Sequence, residues 1–136
     1  MLDLSAHSSS AGNFVMADVH HVPSASTLRI AIGRNNVIAS CSNARGDVFA
    51  WTSAGERGFK GAKKASPFAA QVTVEAIVRK SLERGTSAFD VEVDGRQANR
   101  DVALRTILGL GVTIASVKDV TPMKHNGCRK AKRRRT

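Results

Sequence analysis

The chain has two cysteines, no tyrosine, one tryptophan and five phenylalanines in 136 residues. With only Cys41 and Cys128, no disulfide framework of the kind that holds small secreted domains is implied, and the usage fits a reducing compartment. So few aromatics argue against a platform on which successive unpaired bases stack. No apolar run approaches the ~20 residues that a membrane-spanning helix needs. The opening "MLDLSAHSSSAGNFVMADVHH" has neither Lys nor Arg. It therefore lacks the basic region of a secretory signal and the Arg-rich face of a transit helix. Being polar and Ser/Ala-rich, residues 1–26 read as a flexible extension.

Acid is the other scarcity. Against 21 Lys and Arg stand 11 Asp and Glu, a net charge of +10 with pI near 10.6. A surplus that large on 14.5 kDa repels itself unless a polyanion neutralises it. Eight of the bases and one of the acids lie from Lys118 onward, a local surplus of +7 that leaves +3 for residues 1–117. The body is nearly balanced and the end of the chain, "KDVTPMKHNGCRKAKRRRT", is an interaction arm that cannot fold alone. Three regions follow: the extension 1–26, a single domain 27–117 and a basic tail 118–136. At 136 residues the chain is long enough for one core but not two.

Hydrophobic periodicity organises the domain. In "TLRIAIG", Leu28, Ile30 and Ile32 alternate with Arg29 and Ala31, which predicts a half-buried strand. Asn35-Asn36 and "NARGD" read as turns around two more short strands, "VIASCS" and "VFAW", to make an antiparallel meander. A Gly-punctuated basic loop, "TSAGERGFKGAKKAS", comes next. A helix then starts at Ser66 as N-cap with Pro67 at its first position and stops at Gly85. Its first half is apolar nearly all round, which predicts deep burial, Phe68 included. "AFDVEV" is a strand with Phe89, Val91 and Val93 on one face. A second helix is expected with Asn99 as N-cap and a stripe of Leu104, Ile107, Leu108 and Gly111, before a last strand "VTIASV". The order βββαβαβ implies an α/β fold, a mixed sheet with helices packed on it and its helix-linked strands parallel.

Catalytic and metal-binding readings are weak. Asp90, Glu92 and Asp94 share one strand face, where alternating acids usually meet solvent, and Ser53 sits in no nucleophile pattern. The loop "GERGFKGAKK" fails the Walker spacing: Lys60 and Lys63 stand five residues after Gly55 and Gly58, where a glycine is required. Its "GFKG" matches the GxxG of KH domains, but those loops join two helices and this one follows a strand. His125 and Cys128 could form half a zinc site, with His20, His21 and Cys41 as the other candidates, but a second close pair is missing. No metal, cofactor or small-molecule substrate is implied.

Two separate basic islands point to nucleic acid. Arg57, Lys60, Lys63 and Lys64 stand against Glu56 in the loop, among glycines that let a backbone approach phosphates closely. The tail supplies the second. Charge without aromatics suits a folded RNA recognised through its backbone and shape.

"WTSAGERGFKGAKKASPFAAQ" and "DVTPMKHNGCRKAKRRRT" resemble the two signature stretches of the S-eleven family of small-subunit ribosomal proteins, and the likeness runs from about Leu28 to Thr136. The resemblance implies a non-enzymatic constituent of the small ribosomal subunit. It implies a place on the platform, bound to rRNA hairpins near the mRNA exit region, beside ribosomal protein S-eighteen. It implies RNA contacts from Lys60, Gly61, Lys63 and Lys64 of the loop, and from Arg100 and Arg105 of the second helix; Arg57, by the charge of the loop, and Arg96 are expected to join them. In the tail it implies contacts from Lys124, His125, Asn126, Arg129, Lys130, Lys132, Arg133, Arg134 and Arg135. Phe59 and Phe68 are expected to anchor the loop on the body. Two departures stand out: Gly95-Arg96-Gln97-Ala98-Asn99-Arg100 replaces the family's usual Gly-Pro-Gly-Pro-Gly-Arg, and the N-terminal basic arm is replaced by neutral residues. Such relaxation points to an organellar ribosome, a mitochondrial one by preference. A basic RNA or DNA regulator outside the ribosome is the alternative class, and a preference for folded rRNA over duplex DNA discriminates between them.

Overall fold

Backbone pairing follows the alternation in the sequence closely. The computed structural model describes residues 25–136, so most of the extension 1–26 lies outside the described residues. Three strands, β1 (Ser26–Ile32), β2 (Val37–Ser42) and β3 (Val48–Ser53), form the antiparallel meander. Helix α1 (Pro67–Glu83) leads to β4 (Ala88–Asp94), and α2 (Asn99–Gly109) leads to β5 (Thr113–Asp119). The sheet order is β3-β2-β1-β4-β5, with β4 parallel to both β1 and β5. The expected mixed α/β architecture is therefore the one observed.

The register sorts residues into two faces. One cross-strand row runs Ala50, Cys41, Leu28, Val91 and Val117, and the next runs Thr52, Ala39, Ile30, Val93 and Asp119. These rows face the helices, and all but their β5 ends are buried. The row on the other face is Trp51, Ser40, Arg29, Glu92 and Lys118. It is open, with Trp51 exposed and Arg29 paired to Asp94 at 3.4 Å. The acids of β4 that a catalytic reading would need thus lie on a half-exposed sheet face, where Asp90 accepts a 2.6 Å hydrogen bond from the Ser116 hydroxyl.

Helix α1 begins and ends on chemical signals. The Ser66 Oγ accepts from the Ala69 N–H, and Pro67 occupies the position whose N–H needs no partner. At the other end Gly85 takes φ +86° while the Gly85 and Thr86 N–H groups donate to the Leu82 and Ser81 carbonyls, the Schellman arrangement. Its buried stripe is Ala70, Val74, Ile77, Val78 and Ser81, with Thr73 donating back to the Ala69 carbonyl.

Three expectations are corrected. Phe68 is 64% exposed rather than buried. At 3.6 residues per turn it lies about 200° around the helix from Ala70, on the back of α1. There it meets the Phe59 ring, edge to face with centroids 5.8 Å apart. The α2 stripe is also rotated: Ala103 and Ile107 are buried, whereas Leu108 is largely exposed. Asn99 does not cap α2, because that position falls to Ala98 and the Asn99 amide donates instead to the Ala65 carbonyl at 2.7 Å.

These positions separate in stability. Phe89→Ala, at a fully buried site, should cost about 3–5 kcal/mol. Phe68→Ala should cost no more than the ~0.5–1.5 kcal/mol of an aromatic pair. Chemical denaturation of both variants checks the order, and an equal loss in the two would contradict this placement of Phe68.

Candidate nucleic-acid interface

After β3 the chain turns sharply at Gly58, which has φ +90°, and enters a short 3-10 helix, Gly61–Ala65. Gly61 opens that helix at φ +57°. Lys63 and Lys64 occupy its last turn, one turn before the α1 N-cap, and the Ser66 hydroxyl donates to the Lys63 carbonyl at 2.7 Å. Lys60 and Lys63 are exposed and Lys64 half-buried. Among the described residues none of the three is in an ion pair.

Arg57 differs from its neighbours. Its Nε donates to the Thr52 Oγ1 at 3.2 Å, and its guanidinium lies 3.8 Å from Glu56. Glu56 is held more tightly by Lys80, at 2.9 Å, and that hydrogen bond keeps its carboxyl below the usual range. Arg57 is therefore engaged with the body, while the three lysines present free charge.

Arg100 is also engaged. Its Nη2 lies 2.9 Å from the Asp119 carboxylate at the end of β5. The other oxygen of Asp119 accepts from the Thr121 hydroxyl at 2.6 Å and from the Thr121 N–H at 3.0 Å. The Thr121 Oγ1 in turn accepts from the Gly95 N–H at 3.0 Å, and the Val120 N–H donates to the Val93 carbonyl. These bonds, led by those from Thr121 and then Arg100, lower the Asp119 pKa from 3.8 to about 2. The tail thus leaves the sheet through a clasp that ties its first residues to β4 and α2. Arg105 points away, exposed on the far side of the helix.

Beyond Thr121 the chain runs exposed with no helix or strand. Its one sharp turn is at Asn126 and Gly127, with φ +69° and +65°. Asn and Gly are the residues that tolerate this conformation. His125 and the exposed Cys128 flank it. Lys124, Arg129, Lys130, Lys132, Arg133, Arg134 and Arg135 are all exposed. The proposed residues therefore fall into two groups, the loop at the α1 N-terminus and the tail, with Arg96 and Lys124 together at one cleft.

Sequence reasoning missed two residues. Thr121 anchors the tail, and its signal was the Asp-x-Thr spacing that lets a carboxylate accept from a backbone two residues on. Arg34, in the β1–β2 turn, shares the cleft with Arg96 and Lys124. Nothing in its local pattern beyond a turn marks it.

Residues 26–135 match the family described as Ribosomal protein S11. A "Small ribosomal subunit protein uS11" from Acaryochloris marina (strain MBIC 11017) is 47% identical over 115 residues, covering 85% of this chain and 88% of that protein. One from Rippkaea orientalis (strain PCC 8801 / RF-1) is 48% identical over 101 residues, covering 74% and 78%. The "Small ribosomal subunit protein uS11c" of Marsilea quadrifolia is 48% identical over 108 residues, covering 79% and 83%.

The clasp has a pH signature. Because the folded pKa of Asp119 is depressed from 3.8 to about 2, its contribution is complete above about pH 4 and is lost as pH falls toward 2. Amide exchange at Gly95 and Thr121 should therefore be unchanged from pH 7 to 4, after correction for intrinsic rates, and accelerate below. Asp119→Ala should show the fast exchange already at pH 7. Slow exchange in that variant would remove the carboxylate from the clasp.

Proposed function

Because the chain belongs to the ribosomal protein S11 family and is a structural, non-enzymatic constituent of the small ribosomal subunit, we propose that two of its surfaces hold the subunit's rRNA. The loop lysines Lys60, Lys63 and Lys64 form one, with the Gly61 backbone between them. The tail from Lys124 to Arg135 forms the other. The observation that carries this reading is the tail itself, exposed along its length yet held at its root by the Asp119–Thr121–Gly95 bonds. A run of bases repels itself as free coil, so an arm directed from a fixed root suits a polyanion that lies alongside it.

The roles differ by residue. Lys63, Lys64 and the tail bases neutralise phosphates and supply affinity, without reading sequence. His125, Asn126 and Cys128 shape the turn that sets the path of the tail, with no bound zinc. Arg57 and Arg100 act chiefly on the body, through Thr52 and Asp119, and present what remains of their donors to RNA. Arg96 and Arg105 add contacts beside the loop after β4 and along α2. The site on the subunit is the platform near the mRNA exit region, beside ribosomal protein S-eighteen. Crosslinking from Lys124 and Arg129 positions within intact subunits tests that placement.

The compartment is proposed from two departures from the family's usual pattern. The neutral N-terminal stretch and the altered loop at 95–100 favour an organellar ribosome, with a mitochondrial one preferred. The relative from Marsilea quadrifolia favours a plastid instead. Sedimentation of the tagged protein with the small subunit of purified organelles separates the two.

The salt dependence of rRNA binding gives the sharpest test. With about six phosphates neutralised by Arg129, Lys130, Lys132, Arg133, Arg134 and Arg135, log K should fall with log salt at a slope near −4 to −5. Removing residues 129–136 should flatten the slope markedly. Lys63→Ala with Lys64→Ala should weaken binding while leaving the melting temperature nearly unchanged, since surface charges without an ion-pair partner contribute little to folding. A slope unchanged by the truncation would take the tail out of the interface.

A further inference from the structure

Two of the chain's three prolines directly follow a hydroxyl residue, in Ser66-Pro67 and Thr121-Pro122. The two pairs stand in opposite settings. Ser66 caps α1, its oxygen accepting from the Ala69 N–H and its proton going to the Lys63 carbonyl, and Pro67 is already helical. Thr121 lies where the chain has left β5 and runs without helix or strand, and the proline after it keeps it extended. Thr121 is half-buried, whereas Pro122, Met123 and Lys124 are exposed. A hydroxyl before proline on an extended, accessible segment, with a base three residues on, is what proline-directed Ser/Thr kinases select. Such enzymes choose by backbone shape and local charge.

The same hydroxyl is the hub of the clasp at the root of the tail. It donates its proton to the Asp119 carboxylate at 2.6 Å and accepts from the Gly95 N–H at 3.0 Å. Both bonds depend on a neutral hydroxyl. A phosphate ester at that oxygen has no proton to give Asp119 and brings a charge of about −1.5 to −2. The bond that orients the clasp then becomes a contact between like charges. Thr121 also lines a cleft of about 660 Å³ together with Arg34, Arg96 and Lys124. Among the described residues none of these three cations is in an ion pair. The one acid of the lining, Asp94, already has Arg29 as its partner at 3.4 Å. The fold therefore sets free cations beside the oxygen that would carry the phosphate.

We propose that Thr121 is a phosphorylation site, and that its phosphate switches the root of the tail from Asp119 to the cations of the cleft. The donor is ATP and the enzyme a proline-directed Ser/Thr kinase. The Thr121 oxygen attacks the γ-phosphorus, an oxygen–phosphorus bond forms, and the bond from that phosphorus to the β–γ bridging oxygen breaks. ADP leaves with the bonding pair, and the hydroxyl proton passes to the catalytic carboxylate of the kinase. In the modified chain Asp119 keeps Arg100 but loses Thr121, and the phosphate pairs with Arg34, Arg96 and Lys124. The bases beyond Lys124 are untouched, but the direction in which they leave the sheet is reset. The switch stands whether or not Arg96 and Lys124 also touch RNA.

The full-length chain, incubated with ATP and a purified proline-directed kinase, should take up one phosphate, located at Thr121 by mass spectrometry. Ser66 should stay unmodified, because its hydroxyl is bonded on both sides and Ala69, not a base, stands three residues on. Phosphate at Ser66 instead, or none on the chain, would overturn the site. Amide exchange at Gly95 should quicken roughly tenfold in the phosphorylated chain, the effect of losing about one hydrogen bond. Exchange as slow as in the unmodified chain would leave a modification without a switch, and the proposal would fall there. Phosphorus NMR reports on the cations. The phosphate should titrate below that of phosphothreonine in a short unfolded peptide, whose second pKa is about 6. Arg34→Ala combined with Arg96→Ala should return it toward the peptide's value without lowering the melting temperature, since both side chains are exposed. A phosphate that titrates like the peptide's in the otherwise unaltered chain would take the cleft out of the proposal.

Discussion

Gly95 sits so close to β1 that a Cβ there would stand 2.2 Å from the Ile32 carbonyl oxygen, and its φ of +123° is one that other residues rarely adopt. This single contact lets the loop after β4 fold back over the end of β1. From there the Gly95 N–H reaches the Thr121 hydroxyl, whose own proton goes to Asp119, which in turn faces Arg100 of α2. One backbone approach thus joins β1, β4, β5, α2 and the start of the tail. Without it the tail would still be basic, but its direction would be undetermined.

The distribution of paired and unpaired charge follows a division of labour. Asp94, Glu56 and Asp119 each find a base within the fold, in Arg29, Lys80 and Arg100 respectively. Such half-exposed pairs contribute little to stability individually. Their larger effect is to remove free acid from the surface beside the unpaired bases of the loop and tail. A neighbouring free carboxylate would repel phosphate and occupy the same lysines. Because few acids compete, the loop and tail keep nearly their full positive charge for the subunit.

Most of the architecture was legible in the sequence because the β signal there is simple. Leu28, Ile30, Ile32 and Phe89, Val91, Val93 alternate with polar or small residues, and such a pattern admits one burial. The ends of α1 were equally plain, since Ser66, Pro67 and Gly85 each act through their own backbone geometry. What failed was azimuth. Where apolar residues surround a helix, as in "PFAAQVTV", periodicity cannot say which side meets the sheet, and Phe68 fell on the wrong one. In α2 the large Leu108 drew the reading away from small Ala103, which takes the buried position. The charged groups of the candidate interface were visible as types, but their partners were not. That Arg57 meets Thr52 locally could be suspected, but that Arg100 meets Asp119 depends on β5 returning beside β4.

The parallel pairing of β1 and β4 also governs how the molecule comes into being. Leu28 pairs with Val91, so the central strand waits for a segment more than sixty residues later before its second edge is closed. As the chain emerges, the β1–β3 meander can form by local contacts, but β1 then presents unpaired N–H and C=O groups, and the apolar face of all three strands has no helix over it. Distant pairings of this kind form slowly, and exposed edges invite pairing with other copies. The polycationic end of the same chain is made only afterwards. The order of synthesis therefore places the aggregation-prone edge before the basic arm, so that the sheet can close before that charge is present.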